Sequence, residues 1–582
     1  MEHKEEKIIC QNCKKDFIIE PDDFGFYEKI KVPPPTFCPE CRSQRRFSWR
    51  NERNLYHNKC VITKKDVITG FSNDSGMTIY ERDFWWSDKW DPMSFGIDYD
   101  FSKPFFLQFN DFMYNTPMPS SFNAQTVNSE YCQHTGEFKN GYLVHASWGG
   151  ENVSYAAKVS EVKDSMDSLV LSNSELCYEV VAGNKCYNVT YSQNIEGCNN
   201  SSFLFECRGC SDCFGCVNLR NQSYNIFNQP YSKEKYLEKI KQLNIGNYEN
   251  FKKIQKEFNN LKIQAVHKYA NLVNSPQCTG DNIVNSFNCK NCFDMYGDVR
   301  DCRFIQNCAR YLKDSYDGYG VGASADLIYE VFDTGVQGSK LCFGAVIYGG
   351  HDVYYSYNCH GSQNCFACIG LRSKQYCIMN KQYTKEEYEE MVPKIIKHMN
   401  DMPYIDHIGR SYGYGEFFPS ELSPFCYNET IAQEYFPLTK EQALKQGYKW
   451  KDKEARNYTI DIKTEDIPND IKEVDESIIN KVIECAHSTG SGQAHKEDCN
   501  EQCTEAFKII PDELSFYKRM NLPIPHLCPN CRHYNRLKQR NPLKLWHRKC
   551  MKEGCTNEFE TSYSPDRPEI VYCEKCYQRE VY

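Results

Sequence analysis

The sequence predicts a mainly β protein in which small cysteine ribbons at both termini flank a central parallel β-helix-like solenoid, built as two duplicated blocks with helical caps. Three observations carry the prediction. Cysteines fall in close pairs near each end. The two end regions match each other at a constant offset. The middle has no helical period and repeats short phrases rich in Tyr, Asn, Ser, Gly and Cys.

Bulk properties set the frame. With 582 residues the chain is too long for one core, and about three or four domains are expected. Hydrophobic residues make up 40% and charged residues 25%, as in a folded soluble protein. No run reaches the roughly 20 apolar residues of a membrane helix, so no membrane partner is expected. The polar start MEHKEEKIICQNC lacks the apolar core of a secretory signal. A cytoplasmic, reducing location is therefore expected. The 33 cysteines then read as metal ligands or buried thiols rather than disulfides. A net charge of -9 excludes a whole-chain footprint for nucleic acid, so any such binding must be local.

Near the N-terminus, Cys10 and Cys13 form CQNC, and Cys38 and Cys41 form CPEC. Near the C-terminus, Cys499 and Cys503 form CNEQC, and Cys528 and Cys531 form CPNC. The gap between the pairs holds 24 residues at each end. At an offset of 490, Phe17 falls on Phe507, Phe26-Tyr27 on Phe516-Tyr517, Pro33 and Pro35 on Pro523 and Pro525, Arg42 on Arg532, and Cys60 on Cys550. The ends are an internal duplication. Two close cysteine pairs can turn four sulfurs to one tetrahedral zinc, which replaces a core that so short a segment cannot build. A further C-terminal site is expected from Cys550, Cys555, Cys573 and Cys576, giving about three Zn2+. The N-terminal copy keeps Cys60 but has Glu81 and Phe84 near the positions of Cys573 and Cys576. That site is expected to have lost its metal to aromatic packing by Phe84, Trp85, Trp86 and Trp90. Cys485, His487 and His495 lie beside the last ribbon as substitute ligands, with the four named cysteines preferred.

The stretch CQNCKKDFIIEPDDFGFYEKIKVPPPTFCPECR resembles the bacterial "probable zinc-ribbon" family, with its paired cysteines, central Phe-Tyr, prolines and final CPxCR. The C-terminal copy resembles it too, with one extra residue in its first pair. The resemblance covers about 100 residues of the chain. It implies zinc binding and carries no activity with it.

In the middle, phrases recur at about 11 residues: DSMDS near Met166, SELCY at Cys177, NKCYN at Cys186 and EGCNN at Cys198. Two steps, about 22 residues, read as one coil of a stacked solenoid, with strands alternating inward and outward. The region is itself duplicated. KDSMDSLVLSNSELCYEV at Lys163 resembles KDSYDGYGVGASADLIYEV at Lys313, and the segment from Cys207 matches that from Cys359. Ser232 caps a helix after the first block. A longer helix follows with Phe251, Ile254, Phe258, Leu261, Ala265, Tyr269 and Leu272 on one stripe. Thr384 and Glu387 form a capping box for a helix that contains Pro393. Cys207, Cys210, Cys213 and Cys216, at steps of three, allow two readings: iron-sulfur or zinc ligands, or stacked core thiols. Core thiols are preferred, because the second block has Ser362 at one of the four positions and because steps of three along a strand send neighbours to opposite faces.

Two basic arms follow the ribbons. The first holds Arg42, Arg45, Arg46, Trp49, Arg50 and Arg53. The second holds Arg532, Arg536, Lys538, Arg540, Lys544, Trp546 and Arg548. Arginine pairs with phosphate and aromatic rings stack on bases, so RNA or single-stranded DNA is one expected partner. The alternative is a solvated helix face, or ion pairs to the acidic rest of the chain.

No phosphate-binding glycine loop, GxSxG elbow or HExxH is present. Four-cysteine sites leave no position for a catalytic water. The expected function is therefore a zinc-binding intracellular binding or scaffold protein and not an enzyme. It contacts nucleic acid through the arms or, alternatively, serves as a protein-interaction scaffold with purely structural zinc. A β-helix enzyme acting on a polysaccharide, through His351-Asp352 or Asp317, is the least favoured reading. The expected domains are 1–60, N-terminal ribbon with basic arm; 61–130, aromatic-rich bridge; 131–231, first block; 232–275, helical insert; 276–383, second block; 384–484, helical cap and connector; and 485–582, C-terminal double ribbon. Thr439 and Gln442 should cap a short helix, and the acidic run near Thr464–Glu476 reads as a linker.

Overall fold

A computed structural model of the chain describes residues 4–453, 457–489 and 502–582. The first block is a nine-stranded sheet whose strands lie in chain order. Gln133 faces His145, His145 faces Ala157, Ala157 faces Leu169 and Glu175 faces Tyr187, all in parallel, so each strand repeats the last after 12 residues. The second block is an 11-stranded sheet from Leu272–Val273 to Lys381–Gln382. Its register is 13 where Val299 faces Leu312 and Tyr329 faces Cys342, and 12 where His351 faces Gln363 and Gln363 faces Gln375.

This register corrects the expected 11-residue step, and the backbone supplies the reason. His134, Glu137, Asn140 and Leu143 have φ of 54°, 55°, 55° and 52°, and every third residue from there to Asn194 is left-handed. Each triplet is two extended residues and one left-handed one. Side-chain direction therefore repeats every three residues, not every two. The position after the left-handed residue turns inward, and Phe138, Val144, Val153, Val159, Leu171, Cys177 and Val189 stack there as one core. The abundance of Asn and Asp follows, because these residues tolerate left-handed φ best among those with a side chain. On the outside, Asn128, Asn140, Asn152 and Asp164 pass hydrogen bonds from strand to strand at 3.1, 2.9 and 2.9 Å. Inside, Ser147 and Ser165 accept the backbone N–H of Val159 and Cys177, each at 3.0 Å.

The same period places Cys207, Cys210, Cys213 and Cys216 together in that core, fully buried. The expectation that steps of three would scatter them to opposite faces is corrected. Their thiols donate to backbone carbonyls, as Cys216 does to Phe214 at 3.3 Å. Among the described residues they form no four-sulfur metal group.

The helices pack on the blocks. Ser232 caps Lys233–Leu243, and Asn247 caps Tyr248–Gln264, which lays Ile254 and Phe258 on Phe203, Phe214 and Ile226 of the first block. The expected stripe is cut short: the helix stops at Gln264, and Leu272 opens the second block. Thr384 and Glu387 form the capping box of Lys385–Asp401, which keeps Pro393 inside, and Thr439 with Gln442 caps Lys440–Lys445. In the bridge, the helix Phe105–Asn115 sets Phe105 and Phe106 against Tyr355 of the second block. The segment expected as a free linker is packed instead. Ile467, Ile471, Val474 and Ile478 point into the core of the C-terminal ribbon, and the acidic side chains between them stay outside.

The ribbons dock crosswise. Phe26 of the N-terminal ribbon stacks on Tyr316 of the second block at 3.9 Å. Phe516 and Tyr517 of the C-terminal ribbon pack on Tyr178 of the first block, with ring centroids 6.1 and 5.7 Å away.

Candidate metal centres and the arginine clasp

In the N-terminal ribbon, the hairpin Glu6–Ile9 with Asp16–Ile19 carries Cys10 and Cys13 in its turn. Cys38 sits at the start of the helix Pro39–Phe47, and Cys41 one turn into it. The four sulfurs lie within 4.8 Å of one another, with Cys13 and Cys38 at 3.8 Å. A tetrahedral zinc with bonds of about 2.3 Å requires sulfurs about 3.8 Å apart, so the donor set fits Zn2+. The backbone N–H of Cys38 donates to Cys10 Sγ at 3.3 Å, and the Asn12 amide donates to Cys41 Sγ at 3.3 Å. Such donors steady thiolate charge and orient ligands. Hydrogen bonds from the Cys38 and Cys41 thiols hold the Cys10 thiol far below its usual range. The helix N-terminus beside Cys38 acts in the same direction.

The C-terminal ribbon repeats this geometry with one changed ligand. Cys503, Cys528 and Cys531 are joined by Cys485. Cys485 and Cys531 are 3.9 Å apart, and Cys528 and Cys503 are 4.0 Å apart. Cys528 N–H donates to Cys485 Sγ at 3.2 Å, as Cys38 does to Cys10. The preferred ligand Cys499 and the substitute His495 lie outside the described residues. His487 does not enter the ligand set; its Nδ1 lies 3.3 Å from Cys531 Sγ.

Cys550, Cys555, Cys573 and Cys576 form the third group, with Cys555 and Cys573 at 4.0 Å. Cys573 begins the helix Glu574–Val581, accepts the Asn557 amide at 3.4 Å and donates its N–H to Cys550 Sγ at 3.3 Å. Burial pushes the Cys573 thiol up, but the Asn557 amide and the backbone at Cys576 bring it down to about 7. Its N-terminal counterpart keeps the scaffold with Cys60 alone of the four sulfurs. Cys60 Sγ accepts Thr63 N–H at 3.3 Å, Glu81 takes the helix-start position of Cys573, and Thr63 donates to Glu81 at 3.1 Å. Cys60, Tyr80, Trp85, Phe84 and Trp90 pack together there. Trp86 stands outside that cluster, 41% exposed.

Three closed four-thiolate groups make the chain capable of binding three metal ions, with a donor chemistry that suits zinc. No protein-family model matches the chain, and no curated protein matches it beyond chance.

Most of the arginines of the basic arms are buried. Arg42, Arg45, Arg46, Trp49 and Arg50 are at most 2% exposed. Arg42 and Arg46 hold Asp317 at 2.7 and 3.1 Å, Arg45 and Arg46 hold Glu330 at 2.9 and 2.7 Å, and Arg45 holds Glu416 at 2.8 Å. Arg50 pairs with Glu52 at 2.5 Å, and Arg53 with Glu434 at 3.3 Å. Trp49 packs against Phe417 and Phe418. The second arm behaves alike. Arg532 and Arg536 hold Asp167 at 3.2 and 2.8 Å, Arg536 also holds Glu179 at 2.8 Å, and Arg540 pairs with Asp294. Arg548 donates to the carbonyls of Tyr563 and Ser564, Lys544 reaches Glu40 at 3.6 Å and lies over Trp546, and Lys538 is exposed but engaged. The expectation that the arms lie free for RNA or single-stranded DNA is corrected for Arg42, Arg45, Arg46, Arg50, Arg532 and Arg536, which are buried with most of their charge spent on carboxylates of the two blocks and the connector, while Lys538 and Lys544 stay exposed. Asp317, considered for polysaccharide cleavage, is wholly buried in this network, and Asp352 pairs with Lys340 at 2.8 Å.

The partners could have been found from the duplications themselves. Asp167 and Asp317 stand at the same place in KDSMD and KDSYD, and Glu179 and Glu330 in CYEV and IYEV. Their arginines stand at the 490-residue offset. Cys485 had a weaker signal, the Ile-x-Cys that it shares with Cys10 (IIC and IEC).

Proposed function

We propose that this protein is a zinc-stabilised scaffold in which each ribbon locks a β-solenoid block in place, and that its role is binding rather than catalysis. The observation that supports it is the continuity of metal and clasp. Arg42 follows Cys41 directly and Arg532 follows Cys531, so the helix that the metal fixes is the helix whose arginines grip a block. Parallel strands in chain order with a 12- or 13-residue register support the reading of each block as a four-sided solenoid with one triplet per side. Four-thiolate sites are the closed, structural kind, with no coordination position left for a reacting water. Thiolate sites and buried thiols in such number suit a reducing compartment such as the cytoplasm. The all-thiolate donor sets favour zinc over harder metals. With the arms buried, a protein partner on the outer solenoid faces is favoured over nucleic acid.

The test is metal extraction read on the blocks. Full-length protein should hold three zinc per chain. Chelation should release them and raise amide exchange in both blocks, at Tyr316–Glu330 and Met166–Glu179. Zinc loss with unchanged exchange in the blocks would reject the locking role.

A further inference from the structure

The two clasped faces are duplicates, but they are not filled alike. On the second block, Arg45 fills its space against Glu330 and Glu416, and Trp49 packs on Phe417 and Phe418. At the 490-residue offset the C-terminal ribbon has Asn535 and Gln539. Both are shorter, and both line an open cleft of about 270 Å³ beside Glu179, the counterpart of Glu330. Gln193, Asn259, Lys262 and Gln539 also line an adjoining chamber of about 310 Å³. The cleft is therefore a place where one copy of the duplication exchanged bulk for polar space.

The two ends of this space differ in chemistry. One wall carries Tyr191, Phe203 and Phe251, with ring centroids 4.9 Å (Tyr191–Phe203) and 4.7 Å (Tyr191–Phe251) apart. The other end is charged, with Lys262, Lys538, Arg540 and Arg567 beside Asp281 and Glu569. Arg540 and Arg567 there are committed to Asp294 and Glu569. Lys262 is not. Its ammonium donates to the Gln193 side-chain oxygen and lies 4.8 Å from the Phe205 ring centroid, and among the described residues it makes no ion pair. A partly buried cation whose direct contacts are neutral has only the more distant carboxylates of Glu569 and Glu206 to offset its desolvation.

We propose that this cleft binds a small organic anion, with its carboxylate or phosphate on Lys262 and an apolar or aromatic body against Tyr191, Phe203 and Phe251. The combined space is in the range of small-molecule pockets, with an aromatic wall at one end and polar and charged side chains around the rest. Burial, with Arg567 nearby, lowers the Lys262 amine to about 8 against the opposing pull of Glu569 and Glu206, and a bound anion would act in the same direction as those carboxylates. The site is independent of the locking role of the zinc.

The experiment is calorimetric titration of the full-length, zinc-loaded chain with phenyl phosphate, benzoate and neutral benzamide. One anion per chain is expected, with benzamide at least tenfold weaker, and the better of the two anions identifies the head group. Lys262→Gln should weaken the anion at least tenfold and erase its advantage over benzamide. Gln539→Trp should refill the cleft and abolish binding. In both variants unchanged zinc content and circular dichroism show that the fold is kept. Anions that bind no better than benzamide, or an affinity unchanged by Lys262→Gln, would overturn the proposal.

Discussion

Replacing Asp317 with leucine tests the clasp directly. In the wild-type cluster, Arg42, Arg45 and Arg46 face Asp317, Glu330 and Glu416, three charges against three, with side chains at most 7% exposed. Asp317→Leu takes the partner at 2.7 Å from Arg42 and the one at 3.1 Å from Arg46. It leaves one uncompensated positive charge with no water to solvate it. Removing one member of a buried pair costs about 3–5 kcal/mol, whereas removing both members together with well-packed apolar groups is close to neutral. Asp317→Leu should therefore destabilise by about 3–5 kcal/mol. The double variant Arg42→Met/Asp317→Leu should recover more than half of that. The assay is the first cooperative urea transition of the zinc-loaded chain, with zinc content measured alongside. A loss below about 1 kcal/mol for Asp317→Leu, or a double variant as unstable as the sum of its singles, would refute the reasoning.

Further outcomes follow from the same structure. Cys485→Ser should lower zinc from three to two per chain by elemental analysis, and Cys499→Ser should leave it at three; the reverse result would move the ligand to Cys499. Cys60→Ala should leave zinc content unchanged, because Thr63 and Glu81 stand where further sulfurs would be needed. Asn140 has φ 55° and carries the outer ladder to Asn128 and Asn152, so Asn140→Val should cost about 2–3 kcal/mol in urea unfolding and Asn140→Gly about 1 or less. Burial lowers His267 to about 4, against about 6.5 unfolded. A base whose folded value is depressed stabilises fully above the unfolded value and loses that stability as pH falls. Between pH 7.5 and 5 the wild type should lose about 2 kcal/mol more than His267→Gln.

Much of the ribbon chemistry was legible in the sequence, because four tetrahedral sulfurs demand short spacings and the chain carries the pattern twice. Cys485 was the exception. Seventeen residues separate it from Cys503, against two between Cys10 and Cys13, so the insertion hid the pair from any spacing rule. The blocks were half legible. Their duplication and their Asn-rich corners were visible, but a left-handed residue at every third position, as at His134, Glu137 and Asn140, abolishes the two-residue alternation that strand reading relies on. The arms were misread for a different reason. An arginine beside an aromatic looks the same in a list of residues whether it faces phosphate or Asp317, which lies 275 residues from Arg42. Only the observation that two duplications are complementary, arginines at one offset and carboxylates at the other, could have separated the two.

The crosswise docking also fixes an order of events when the chain is made. The first block is complete by Pro230, but the arginines that hold it, Arg532 and Arg536, lie about 300 residues further on. At ordinary rates of 5–20 residues per second, that is a wait of about 15–60 s. Through it, Asp167 and Glu179 stay in water, where their charge costs nothing, and Tyr178 stays uncovered. The N-terminal ribbon waits in the opposite sense, metal site complete by Cys41, with Arg42 and Arg46 hydrated until Asp317 and Glu330 emerge. The N-terminal ribbon and the second block can close once Glu434 has emerged, whereas the first block needs Arg532 and Arg536, so a ribosome that stops between the two releases the first block open.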